Sequence, residues 1–186
     1  MPALPIIAIS IGDPNGVGVE IILKTFQDNS LFEQCIPLVY ASLDFVQKQQ
    51  ALFNTQVPLD LMEITPKQGV LNIATIWQDT PEVAFGKQTA KAGVAAFESL
   101  QAAAVAVQKG QADALVTAPI NKACIKSLDF PFAGHTHYLG ALWGGNALML
   151  LAHDALRVAL LTDHIPLHKV TAAITVDLIT HRKQNN

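Results

Sequence analysis

The stretch Ala112–Tyr138, ADALVTAPINKACIKSLDFPFAGHTHY, decides the fold and points to the chemistry. It opens on Ala114-Leu115-Val116-Thr117, a short apolar run of the kind that forms a buried strand. Ala118-Pro119-Ile120-Asn121-Lys122 follows as a small polar loop with one amine. Gly134-His135-Thr136-His137 then sets two imidazoles and a hydroxyl behind a glycine. Open α/β sheets bind ligands outside the carboxyl ends of their strands, so a strand followed by two polar segments marks a candidate ligand site. Taken singly, each residue has a plainer role. Pro-Ile-Asn-Lys can simply end a strand, and Thr136 can simply cap the next helix. Their clustering behind one strand favours a site.

Upstream of this stretch, Gly86 to Gly110 carries the clearest helical signal. Apolar residues recur at three- and four-residue steps from Ala92 to Val107, alanine is abundant, and Gly110 ends the run. This helix feeds the strand at Asp113–Thr117 and completes a β-α-β crossover. Nearer the start, Leu4–Ser10 reads as a buried strand. Gly12-Asp13-Pro14-Asn15-Gly16 is dense in turn residues, and Val17–Phe26 is helical. Gly16-Val17-Gly18 does not complete a GxGxxG dinucleotide fingerprint. Its glycines serve either a tight turn or a loop whose N–H groups approach a ligand. Pro37–Ala41 is a second strand, with Ser42 as N-cap of a helix over Leu43–Leu52. Leu59–Ile64 and Val70–Ile76 read as strands of a side sheet. The alternation of strands and helices predicts a parallel sheet.

Downstream, the helix that begins near Thr136 runs to about Trp143 and breaks at Gly144-Gly145. Ala147–Ala152 and Leu156–Thr162 form a hairpin with Asp154 in its turn. Pro166 ends the loop that holds His164, and a helix runs from Val170 to about Thr180. The chain is expected to stop inside a helix, since no glycine or proline follows.

Composition narrows the class. The chain has 186 residues, 51% hydrophobic and 15% charged, with a net charge of −3. That is a globular chain with a sizeable core and no bulk attraction for nucleic acid or an anionic membrane. Cys35 and Cys124 make neither a disulfide framework nor a metal-type spacing. Reduced thiols in a cytoplasmic protein are expected. The N-terminus lacks a basic leader, and no apolar run is long enough to span a bilayer.

Three segments together resemble the 4-hydroxythreonine-4-phosphate dehydrogenase (PdxA) family: Ser10–Gly18, then Val116–Lys122 with Phe132–Thr136, then Leu156–Leu167. The resemblance covers essentially the whole chain but only the N-terminal portion of the family's sequence. It implies a three-layer α/β fold like that of the isocitrate and isopropylmalate dehydrogenases, with residues 1–186 as the first part of a two-domain enzyme whose C-terminal part is missing. It implies NAD- or NADP-dependent oxidation and decarboxylation of 4-phosphooxy-L-threonine to 3-amino-2-oxopropyl phosphate, a step toward pyridoxal phosphate. Two alternatives stand beside this one: a related dehydrogenase of 4-phospho-threonate or 4-phospho-erythronate, and a folded fragment without activity.

The resemblance also assigns residues. His135 and Thr136 match the substrate-binding pair. His164 matches a ligand of a divalent metal such as Zn, Mg or Co, with the remaining ligands in the absent region and the site shared across a homodimer. Lys122 and Asp13 are second-tier residues of the site wall. Lys122 can meet a phosphate as a point charge. Asp13 either hydrogen-bonds across the site or caps its own turn. His137 stands where the family commonly has an acidic residue, and Val19 where a proline is frequent. With its second domain incomplete, the isolated chain is expected to be poorly soluble or obligately associated.

Overall fold

The computed structural model describes residues 3–77, 81–126, 132, 134–145, 147–162 and 165–184. The chain divides into two compact units, Met1–Pro131 and Phe132–Asn186.

The first unit is built on one sheet. Its strands are β1 (Ile6–Ser10), β2 (Ile36–Ala41), β3 (Leu59–Leu61), β4 (Leu71–Thr75) and β5 (Ala114–Thr117). They lie in the order β3-β4-β2-β1-β5, and every pairing is parallel. All six residues of β2 are buried, as expected of a strand covered on both faces. Alternate residues serve the two faces. Ile9, Val39 and Ile73 belong to a core with Val19, Ile22, Leu23 and Phe26 of α1 (Gly18–Thr25, with Phe26 as its C-cap) and Phe45 and Val46 of α2 (Leu43–Leu52). Ala8, Leu38, Tyr40 and Ala74 belong to the other, with Ala103 and Ala106 of α3 (Ala90–Gln108). Each fully buried Ile, Leu or Phe in these layers contributes about 1.5–3 kcal/mol.

The helix boundaries have local causes. Ser42 Oγ accepts from Phe45 N–H at 3.2 Å, the cap expected from sequence. Thr89 does the same for α3 through Ala92 N–H at 3.2 Å. Gly110, at φ +69°, follows that helix in a left-handed conformation. Small residues let α3 sit close to its neighbours. A Cβ on Gly93 would lie 2.5 Å from the carbonyl oxygen of Cys124, in the short helix α4 (Lys122–Lys126). Cys124 is itself a small buried residue, and among the described residues neither Cys35 nor Cys124 is in a disulfide.

One sheet assignment is corrected. β3 and β4 do not form a side sheet; they extend the main sheet, with Leu59 opposite Leu71 and Asp60 opposite Asn72. The reason is visible in Asn72, which is fully buried. Its amide nitrogen donates to Pro37 O at 3.1 Å and Lys67 O at 2.8 Å, and its oxygen accepts from Lys67 N–H at 2.8 Å. The side chain thus ties the β3–β4 connection to β2.

The second unit holds α5 (His135–Trp143), an antiparallel hairpin of β6 (Leu150–His153) and β7 (Leu156–Ala159), α6 (Leu167–Ala173) and α7 (Val176–Gln184). Gly144, at φ +69°, ends α5, and Asp154, at φ 43°, lies in the hairpin turn, both at expected positions. The single helix expected over Val170–Thr180 is instead two. Thr175 Oγ1 accepts from Leu178 N–H at 3.1 Å, so a new helix start interrupts the apolar run. Among the described residues no helix is long and apolar enough to cross a membrane.

Candidate active site

Sheet order locates the crevice. The connection after β1 leads to β2 on one side, while β5 lies on the other side of β1. The two loops leaving β1 and β5 therefore part at a topological switch point, where open α/β sheets place their ligands. Those loops are Ile11–Val17 and Ala118–Asn121.

They are stitched together by backbone. Ala118 N–H donates to Ser10 O at 3.0 Å, and Asp13 N–H donates to Pro119 O at 2.8 Å. Gly12 makes the approach possible. Its φ is +69°, and a Cβ there would lie 2.2 Å from Pro119 O. The glycines of this loop thus serve close backbone approach as well as turning.

Asp13 takes the turn-capping role. Its Oδ1 accepts from Asn15 N–H at 2.9 Å. Lys122 is the exposed first residue of α4. Asn121, just before it, accepts from Ala123 N–H at 3.0 Å, which fixes the start of that helix. Asp13 therefore sits on one of two touching loops of the first unit, and Lys122 begins the helix that follows the other.

Two supporting residues escaped sequence reading. Asn15 is buried, and its side chain spans to residues about seventy positions away. Its oxygen accepts from Ala84 N–H at 2.8 Å, and its nitrogen donates to Lys87 O at 2.9 Å and Thr89 Oγ1 at 3.3 Å. Gly86 N–H donates to Asn15 O at 3.0 Å. Residues 84–89 are thus clamped onto the loop after β1, adding Lys87 to the same end of the sheet. Ser99, fully buried on α3, donates to Tyr40 O at 2.7 Å and accepts from Ile11 N–H at 3.0 Å. It anchors the entry to the glycine loop. An asparagine between turn residues and a serine in an alanine-rich helix look unremarkable in sequence; only their burial reveals the role. Asn15→Ala leaves the Ala84 N–H and Lys87 C=O without their partner, at a cost of about 2 kcal/mol. Faster amide hydrogen exchange at Ala84 is the expected readout, and unchanged exchange there would contradict the clamp.

In the second unit, His135 and Thr136 occupy the first turn of α5. His135 is half-buried, and Thr136 and His137 are exposed. The N-cap is Gly134, in extended backbone with φ 166°, and no side chain caps the helix. Capping by Thr136 is therefore excluded, because the residue lies inside the first turn. Phe132 packs edge-on against Tyr138, with ring centroids 5.6 Å apart. Burial pushes the Tyr138 hydroxyl pKa up. His164 lies outside the described residues. Among the described residues no three His, Cys, Asp or Glu side chains converge to hold a metal ion.

A family model described as the pyridoxal phosphate biosynthetic protein PdxA matches residues 33–185. The chain belongs to the PdxA family. A 4-hydroxythreonine-4-phosphate dehydrogenase from Bacteroides thetaiotaomicron is 38% identical over 180 residues, covering 95% of this chain and 50% of that protein. A Clostridium botulinum relative named "Putative D-threonate 4-phosphate dehydrogenase" is 29% identical over 94% of this chain and 54% of its own length. The crystal structure of a 4-hydroxythreonine-4-phosphate dehydrogenase from Burkholderia phymatum superposes with a TM-score of 0.88 at 28% identity, covering 99% of this chain and 58% of that one. The chain therefore shares the isocitrate/isopropylmalate dehydrogenase-like fold of its solved relatives. It spans about half the length of the curated relatives it matches.

Proposed function

We propose that residues 1–186 form the N-terminal portion of a two-domain dehydrogenase that oxidises and decarboxylates 4-phosphooxy-L-threonine to 3-amino-2-oxopropyl phosphate with NAD or NADP. The observation that carries this reading is the family match together with 38% identity to the Bacteroides thetaiotaomicron dehydrogenase across 95% of the chain. Nicotinamide supplies the hydride acceptor. The substrate's secondary alcohol loses its hydride to that acceptor and its proton to a base; the resulting β-keto acid then loses carbon dioxide.

His135 and Thr136 are the proposed substrate contacts. Both stand in the first turn of α5, where backbone N–H groups lack intrahelical acceptors and favour an anionic group. The Thr136 hydroxyl donates to a carboxylate or phosphate oxygen. The His135 imidazole donates to the substrate and carries a proton near neutral pH. Lys122 and Asp13 belong to the wall, with Lys122 offering a positive charge to the phosphate. His164 is the proposed contribution to a divalent-metal site (Zn, Mg or Co) completed by other ligands. One imidazole is too few to hold such an ion tightly. A cytoplasmic homodimer sharing its site is the proposed assembly.

The test is reduction of NAD or NADP by the purified protein with 4-phosphooxy-L-threonine and a divalent metal. Turnover is expected, with His135→Asn and Thr136→Val each lowering kcat/KM by about 100-fold, the scale of lost acid–base and positioning contacts. Turnover unaffected by either substitution would remove these residues from the site. Turnover of D-threonate 4-phosphate in preference would establish the second substrate reading, which the Clostridium botulinum relative's name favours. No turnover of either substrate would leave a folded fragment.

A further inference from the structure

The lysines of the first unit fall into two groups. Lys24, Lys48 and Lys67 are each paired with a carboxylate, that of Glu20, Asp44 and Asp60 respectively. Lys87, Lys91, Lys109 and Lys122 are exposed and make no ion pair among the described residues. Lys109 needs none, because it caps the C-terminus of α3, where a cation complements the helix dipole. Lys87 and Lys91 stand at the opposite end. They flank the Thr89 cap, where the dipole disfavours a cation, and the first turn of α3 holds no acidic residue. Asp13, the carboxylate of the neighbouring glycine loop, is turned to Asn15 N–H.

The segments that carry Lys87 and Lys122 are fastened to one loop. Asn15 Nδ2 donates to Lys87 O at 2.9 Å, and Gly86 N–H donates to Asn15 O at 3.0 Å. Two residues back, Asp13 N–H donates to Pro119 O at 2.8 Å, three positions before Lys122. The same segments meet again beyond the loop. Gly93, two residues after Lys91, lies so close to Cys124, two residues after Lys122, that a Cβ would stand 2.5 Å from its carbonyl oxygen. Unpaired ammonium groups are thus gathered at the carboxyl end of the sheet by buried polar and backbone contacts.

We propose that Lys87 and Lys122 form a phosphate subsite of the crevice, and that Asn15 is the residue that positions Lys87 within it. A phosphate ester carries nearly two negative charges, which two lysine point charges match better than a single carboxylate would. The inference deepens the catalytic reading and rests on it for the source of the phosphate, either the substrate's ester or the cofactor's pyrophosphate.

The test is an amide NMR titration of the 186-residue chain with inorganic phosphate, then with 4-phosphooxy-L-threonine and with NAD. Inorganic phosphate is expected to shift the amides of Gly86–Thr89 and Asn121–Ala123 along one saturation curve. Lys87→Met weakens that binding about ten-fold, the scale of one lost charge-assisted contact, while Lys109→Met leaves it unchanged. Asn15→Ala weakens it by a similar factor, and the double variant with Lys87→Met is no weaker than Lys87→Met alone, because Asn15 acts through that lysine. The ligand that produces the same shifts at the lower concentration, 4-phosphooxy-L-threonine or NAD, identifies the source. Phosphate binding that is equal in Lys87→Met and the unaltered chain overturns the proposal. So does the absence of shifts at Gly86–Thr89 with all three ligands, or equal weakening by Lys109→Met. Losses that add fully in the double variant overturn the positioning role of Asn15. Since binding is read without turnover, a chain that binds phosphate here yet oxidises nothing contradicts the catalytic reading alone.

Discussion

Gly12→Ala is expected to destabilise the first unit by about 3 kcal/mol and to pull apart the loops that follow β1 and β5. Two penalties add at this position. A left-handed backbone, here φ +69°, costs an L-residue about 1–2 kcal/mol. The new methyl carbon would also stand 2.2 Å from Pro119 O, a backbone atom that can move only if its loop moves. That movement breaks the hydrogen bond from Asp13 N–H to Pro119 O. Gly110→Ala provides the internal control. Gly110 has the same φ, +69°, but its Cβ would meet nothing within 4 Å. It should therefore cost only the conformational part, about 1 kcal/mol. Urea unfolding of the two variants measures the difference. Equal losses would show that the close approach at Pro119 has no energetic weight.

Phe45→Ala is expected to cost about 3–5 kcal/mol, the range for removing a large aromatic side chain from a packed core. Phe45 is 1% exposed and sits edge-on to Trp77, with ring centroids 6.0 Å apart and an interplanar angle of 88°. Trp77 cannot easily collapse into the void, since its Nε1 donates to Glu98 Oε2 at 2.7 Å. A rigid neighbour keeps the cavity open, which places the loss toward the upper end of the range. A fall in melting temperature of about 10 °C is the scale expected for a chain of this size. A drop of only a degree or two would mean that the α2 layer repacks freely.

The candidate site was legible in sequence to different depths. Gly12, Asp13, Lys122, His135 and Thr136 announced themselves because turn residues, charges and imidazoles followed apolar runs. Asp13 had two readings, and the hydrogen bond to Asn15 N–H at 2.9 Å realises the turn-capping one. Thr136 had a capping alternative, which fails because Gly134 is the residue at that position. Asn15 and Ser99 were invisible, since each acts across some seventy to ninety positions of chain. No local pattern encodes a partner that distant.

What the sequence by itself determined was local: the strand and helix types, the Ser42 cap, the stops at Gly110 and Gly144, and the hairpin turn at Asp154. These follow from steric and hydrogen-bonding preferences that reach only a few residues along the chain. Only the tertiary structure decided that β3 and β4 join the main sheet, that β1 and β5 frame the switch point, and that Asn15 reaches residues 84–89. Strand order is set by which apolar faces bury one another. That choice depends on the whole set of layers, and no single segment contains it.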